Sequence, residues 1–225
     1  MRHIILDTET TGLSPRHGHK IIEIGCVELY NYVPTGRTYH QYINPLRDVP
    51  QEAFAVHGIS TEFLLDKPLF KDVVHDFLKF LEDDYKLVIH NAGFDMSFIN
   101  FELEQHGLPP ITNEYVIDTL AMARAKFPGA KNSLDALCTR YKVDNSDREL
   151  HGALLDAQIL SKVYIHLSGG VQAGFAFDKI EKKETVSAEQ PKKERKLRKF
   201  APSAAELTLH KEFVGEIENA LWFED

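Results

Sequence analysis

Residues 2–12 read RHIILDTETTG, from Arg2 through Asp7 and Glu9 to Gly12. The short apolar run Ile4–Leu6 ends at a carboxylate, as a buried strand does where it reaches solvent, so a first strand is predicted over Arg2–Asp7. Side chains two apart on an extended chain share a face, which makes Asp7 and Glu9 project together. Two anions held that close repel unless a cation sits between them. The turn formed by Thr10, Thr11 and Gly12 opens the carboxyl end of the strand, where α/β sheets place their sites.

Beyond this strand, Lys20–Tyr30 alternates and is rich in β-branched residues, and Arg37–Ile43 follows a Pro/Gly segment; the two are predicted to form a hairpin. Phe70–Leu81 has helical spacing at Phe70, Val73, Val74, Phe77, Leu78 and Leu81. A strand over Leu87–His90, a helix over Asp95–His106 and a weak strand over Val116–Asp118 come next. Ser133 is placed to cap a helix running to Tyr141, and Leu150–Leu167 reads as one more helix. Three strands followed by strands interleaved with helices imply an α/β fold, a mixed sheet covered by helices.

Further carboxylates fall at the edges of these elements. Asp95 opens a helix just past a strand, and Asp156 has apolar or small neighbours on both sides in mid-helix. His151 lies five residues before Asp156, beside Gly152. Taken singly, each has a plainer reading: a surface pair at Asp7 and Glu9, a dipole-favoured aspartate at Asp95, a cap or surface histidine at His151.

Taken in order, LDTETTGL, GHKIIEIG, QEAFAVHGI, VIHNAGFD, NSLDALCTRY and LHGALLDAQIL resemble the DEDDh exonucleases, in their proofreading branch, across residues 3–168. The resemblance implies a ribonuclease-H-like fold and a 3′–5′ DNA exonuclease that proofreads for a replicative polymerase. It implies hydrolysis of 3′-terminal phosphodiesters with two Mg²⁺ or Mn²⁺ ions and release of nucleoside 5′-monophosphates. Asp7, Glu9, Asp95 and Asp156 become the metal ligands and His151 the general base; hard oxygen donors suit those cations. Asp7, Glu9 and Asp156 also border the substrate, with Glu52 at the terminal sugar and His57 near the terminal base. Without the resemblance, Glu52 reads as a helix-start carboxylate and His57 as a turn residue before Gly58. Thr8 and Thr10 are further candidate contacts to the last nucleotide. An RNA-trimming nuclease of the same family and a non-catalytic adaptor are the competing readings.

Other features read as structure. Cys26 and Cys138 are expected as buried thiols, His17 and His19 as surface residues of a polar loop, and Phe94, Phe98 and Phe101 mostly as core. A boundary is expected near Ser168, Gly169 and Gly170, giving an exonuclease domain over 1–168, a flexible linker over 169–200 and an amphipathic segment over 201–225. Within the linker, Gln172, Phe175 and Phe177 resemble the peptide by which this branch touches the sliding clamp. Ser203 and Glu206 read as a capping box, followed by Leu209, Phe213, Ile217, Leu221 and Trp222 on one helical stripe. The resemblance makes that stripe the address of the polymerase alpha subunit, with a further small core subunit also possible; the alternative is a helix docking back on its own domain.

The chain has 26 basic and 34 acidic residues, a net charge of −8, so it is no uniformly basic nucleic-acid binder. Its two cysteines exclude a disulfide scaffold. Too few apolar residues precede Asp7 for a signal peptide, and no stretch suits a membrane span; the expected setting is cytoplasmic, at the replisome. Charge is uneven: residues 179–200 hold 9 basic and 4 acidic side chains, residues 201–225 only 1 basic against 6 acidic.

Overall fold

A computed structural model describes residues 1–82, 84–146, 150–169 and 201–216. The chain divides into two compact units, Met1–Ala176 and Phe177–Asp225. In the first, five strands form one sheet in the order β3-β2-β1-β4-β5. β1 (Arg2–Thr10) lies at the centre, antiparallel to β2 (Ile21–Tyr30) and parallel to β4 (Tyr85–Ile89). β3 (Val33–Tyr42) pairs antiparallel with β2, and β5 (Val116–Asp118) parallel with β4. The mixed sheet agrees with the expected fold class, and β1 runs three residues farther than predicted, carrying Thr8 and Glu9 inside the ladder.

The period of two divides the central strand between two cores. Ile4 and Leu6 face a layer with Phe77 of α3 (Phe70–Leu81) and Phe98, Ile99 and Leu103 of α4 (Ala92–Gln105). Ile5 faces the other way, with Leu137 of α6 (Leu134–Tyr141) and Ala157, Leu160 and Val163 of α7 (Ala153–Leu167). Asp7 and Glu9 have the parity of Ile5, so the strand aims them at the α7 layer. α3 has the bounds its spacing predicted and buries Phe70, Val73, Val74, Phe77 and Leu81, each contributing roughly 1.5–3 kcal/mol over exposure. Cys26 and Cys138 are buried as expected.

α1 (Gln51–His57) starts where Glu52 reads as a helix-start carboxylate, whereas α2 (Thr61–Leu64) and α5 (Thr119–Lys126) have no counterpart in the sequence reading. The hairpin also turns elsewhere. Tyr30 pairs with Val33, and Asn31 (φ 49) and Tyr32 (φ 64) make the tight loop, both in the left-handed region that such a turn needs. The Pro/Gly segment expected to turn instead forms a register shift within β3, where Gly36 adopts φ 85. In the second unit, α8 (Ala204–Gly215) begins at the predicted capping box: Ser203 Oγ accepts from the Glu206 amide at 3.3 Å, and Glu206 Oε2 accepts from the Ser203 amide at 2.7 Å. Leu209 and Phe213 are exposed on it. Gln172, Phe175, Phe177, Ile217, Leu221 and Trp222 lie outside the described residues. No described helix is long and apolar enough to cross a membrane.

Candidate active site

The carboxyl end of β1 meets the amino end of α7. Glu9, His151 and Asp156 each offer a ligand atom there, all within 4.8 Å of one another. Glu9 and Asp156 are buried, at 9 % and 3 % exposure, whereas the His151 side chain is 46 % exposed. His151 Nδ1 stands 3.4 Å from Asp156 Oδ2. Asp156 occupies the first turn of α7, where unsatisfied backbone N–H groups and the helix dipole favour an anion. Asp7 lies two residues before Glu9 on the same face of β1 and is half-buried.

Asp95 reaches the strand end from the opposite layer. It sits in the first turn of α4, 3 % exposed, and its Oδ1 accepts from the Thr8 amide at 3.1 Å and the Thr8 hydroxyl at 2.7 Å. Burial holds its carboxyl well above the ordinary carboxylate range, with the Thr8 bonds opposing that shift and Asp118 adding to it. Asp95 therefore ionises at a cost, which a cation nearby would offset. Oxygen donors with one imidazole, spanning a distance that ligand bonds of ~2.0–2.6 Å can bridge, fit a hard divalent ion.

Beside this cluster lies a cleft of about 500 Å³, lined by Glu9, Thr10, Leu13, Glu52, His57 and Phe94. Glu52 is exposed on the first turn of α1, and His57 is buried at its end. His57 Nδ1 accepts from the Ile59 amide at 3.0 Å, which leaves the ring proton on Nε2. Burial, and His151 nearby, hold the His57 imidazole below its ordinary range. A second cleft is lined by His90, Asn91, Arg124, Asn132, Ser133 and His151.

Some expectations change here. His19 is half-buried rather than fully at the surface: its Nδ1 lies 3.3 Å from Thr11 Oγ1, and a Cβ on Gly12 would meet its ring at 2.3 Å. His17 is exposed as expected, but both histidines line the first cleft. Phe98 is core, whereas Phe94 is partly exposed in the cleft wall and Phe101 packs its ring 5.6 Å from Lys20 Nζ. Glu23 and Gly25 were missed. Glu23 pairs with Glu9 across the ladder, is 2 % exposed, and its Oε2 accepts from the Ala153 amide at 3.1 Å, anchoring the start of α7. Their signal in the sequence is a glutamate and a glycine two apart within GHKIIEIG, in a strand that also carries Glu28.

The exonuclease (RNase_T) family model matches residues 4–164. The DNA polymerase III subunit epsilon of Rickettsia felis is 51 % identical over 223 residues, covering 96 % of this chain and 97 % of that one. The chain belongs to the exonuclease family, among the epsilon subunits of DNA polymerase III. The Escherichia coli epsilon subunit is 53 % identical over 184 residues, covering 78 % of this chain and 74 % of its own. Among solved structures, exonuclease X in complex with 5′-overhanging duplex DNA has a TM-score of 0.58 at 29 % identity, covering 73 % of this chain and 90 % of that one. The nuclease domain of 3′hExo, a DEDDh family member bound to rAMP, shares the fold, with a TM-score of 0.63 at 20 % identity over 74 % of this chain and 91 % of that one. As a member of this family, the chain is a 3′–5′ exonuclease.

Proposed function

We propose that this epsilon-type exonuclease removes nucleotides from single-stranded or frayed DNA 3′ ends, releasing nucleoside 5′-monophosphates as the proofreader of a replicative polymerase. One observation carries the reading: Glu9, His151 and Asp156 converge within 4.8 Å at the edge of the cleft that holds Glu52 and His57. Asp7, Glu9, Asp95 and Asp156 are the residues that would hold two Mg²⁺ or Mn²⁺ ions. When bound, such ions lower the pKa of water and stabilise charge building on the scissile phosphate oxygens. Glu52 and His57, both in the cleft wall, would orient the terminal sugar and base. His151 takes a proton from the attacking water, with its Nδ1 facing the Asp156 carboxylate at 3.4 Å. General-base catalysis of this kind typically contributes ~10²–10⁴ in rate.

The tail supplies the addresses. Gln172, Phe175 and Phe177 engage the sliding clamp, and Leu209, Phe213, Ile217, Leu221 and Trp222 engage the polymerase subunit; association with the polymerase is supported by rickettsial relatives named for it that match 96 % of the chain. Hydrolysis rates on mispaired DNA ends, paired DNA ends and single-stranded RNA test the reading. Faster removal from the mispaired DNA end is expected. A preference for RNA would favour the RNA-trimming alternative, and no hydrolysis of any substrate would favour an adaptor.

A further inference from the structure

His151 sits in a three-residue run, Leu150–Gly152, ahead of α7, and Gly152 is extended (φ −147), so the helix does not by itself dictate where the histidine lies. Two contacts tie this run to the end of α1 instead. The His151 amide donates to the Val56 carbonyl at 3.1 Å. That carbonyl belongs to the last turn of α1, whose C=O groups lack intrahelical donors, so a helix end and a site residue satisfy each other. The second contact is steric. Gly58 follows α1 in the left-handed region (φ +70), and a Cβ there would lie 2.5 Å from Leu150 Cδ1. The glycine is required for its backbone conformation, and the end of the half-exposed Leu150 side chain occupies the space beside it.

α1 also carries Glu52 and His57 into the cleft beside Glu9. One seven-residue helix thus borders the substrate with its side chains and holds the backbone of His151 with its last turn. We propose that Val56–Gly58 is the positioning element for His151, with Gly58 the positioning residue that lets Leu150 seat and so sets the histidine against Asp156. The proposal rests on His151 being the general base. Occupation of α1 by the terminal nucleotide then steadies the base as well as the substrate, which ties proton transfer to a seated 3′ end.

The test uses the full chain with Gly58→Ala, Leu150→Ala and the double variant. Misplacement on the order of 1 Å in a reacting group can cost ~10²-fold, so Gly58→Ala is expected to lower kcat by ~10-fold or more. KM should stay within about threefold, and the rise in Tm on adding Mn²⁺ should persist, because neither cleft side chains nor carboxylates change. Adding Leu150→Ala to Gly58→Ala should return kcat to about that of Leu150→Ala alone; both glycine variants carry the same backbone strain, so the recovery isolates the contact. Hydrogen exchange at the His151 amide supplies a readout independent of activity: slowed in the wild type, faster in Gly58→Ala and slowed again in the double variant. Unchanged exchange in Gly58→Ala overturns the inference, as does a loss of kcat that Leu150→Ala fails to restore. An inactive wild type that still shows the exchange pattern would instead overturn the catalytic reading while the positioning contact stands.

Discussion

Asp156 is a carboxylate in an apolar setting, 3 % exposed among Ala153, Ala157 and Leu160, and the first turn of α7 makes that burial tolerable. Its apolar neighbours already mark it in the sequence, as does the spacing of two between Asp7 and Glu9. The Thr8–Asp95 bonds are not legible there: strand parity sends Thr8 to the layer opposite Glu9, and only the three-dimensional stacking of α4 brings Asp95 to it. His3, 1 % exposed on the α7 face, shows a cost of burial remote from the site. It stacks on Tyr32 at 5.0 Å and meets Tyr164 edge-on at 5.4 Å, and burial together with the N-terminal charge holds its imidazole below the ordinary range. The unfolded chain therefore binds this proton more tightly than the folded one. Stability from neutral His3 is present above the unfolded value of about 6.5 and is lost as pH falls through the lowered folded value; His57 acts in the same direction. Melting curves between pH 7.5 and 5 should show a smaller acid loss in His3→Phe than in the wild type. Equal losses would place the acid sensitivity elsewhere.

At the scale of elements, the site depends on how β2 receives α7. Gly25 faces the start of that helix, and a Cβ there would lie 2.2 Å from Leu154 N and 2.3 Å from Ala153 C, backbone atoms that cannot step aside. Gly25→Ala should destabilise by ~1–3 kcal/mol through overpacking, a drop of several degrees in Tm. A variant that melts with the wild type would mean that α7 shifts freely and that Glu23 does not anchor it. Long periodic elements such as α3 declare themselves because five buried side chains enforce one spacing. α1 does not: QEAFAVH is only two turns, with His57 its sole buried residue, so no stripe announces it. The hairpin turn was hidden for a related reason, since Asn31 and Tyr32 take positive φ while the nearby Pro34 and Gly36, stronger turn residues, serve a bulge at the sheet edge.

For the whole molecule, a net charge of −8 sets the terms on which it meets a polyanion. The four site carboxylates account for half of that figure, and two divalent ions would cancel them, but little general attraction for DNA remains. An enzyme of this kind gains from tethering, because a linked partner raises the effective concentration of the 3′ end without new contacts to it. In the proposed mechanism these carboxylates hold metal while His151 moves a proton, two roles that a single variant separates. Mononucleotide release from a single strand labelled in its 3′-terminal nucleotide and the Mn²⁺-induced rise in Tm, followed together in the wild type and His151→Ala, separate the two. Wild-type release of 5′-monophosphates with metal is expected, and for His151→Ala a loss of ~10²-fold or more with the rise in Tm intact. Loss of both responses together would contradict it and make His151 a metal ligand or a structural residue.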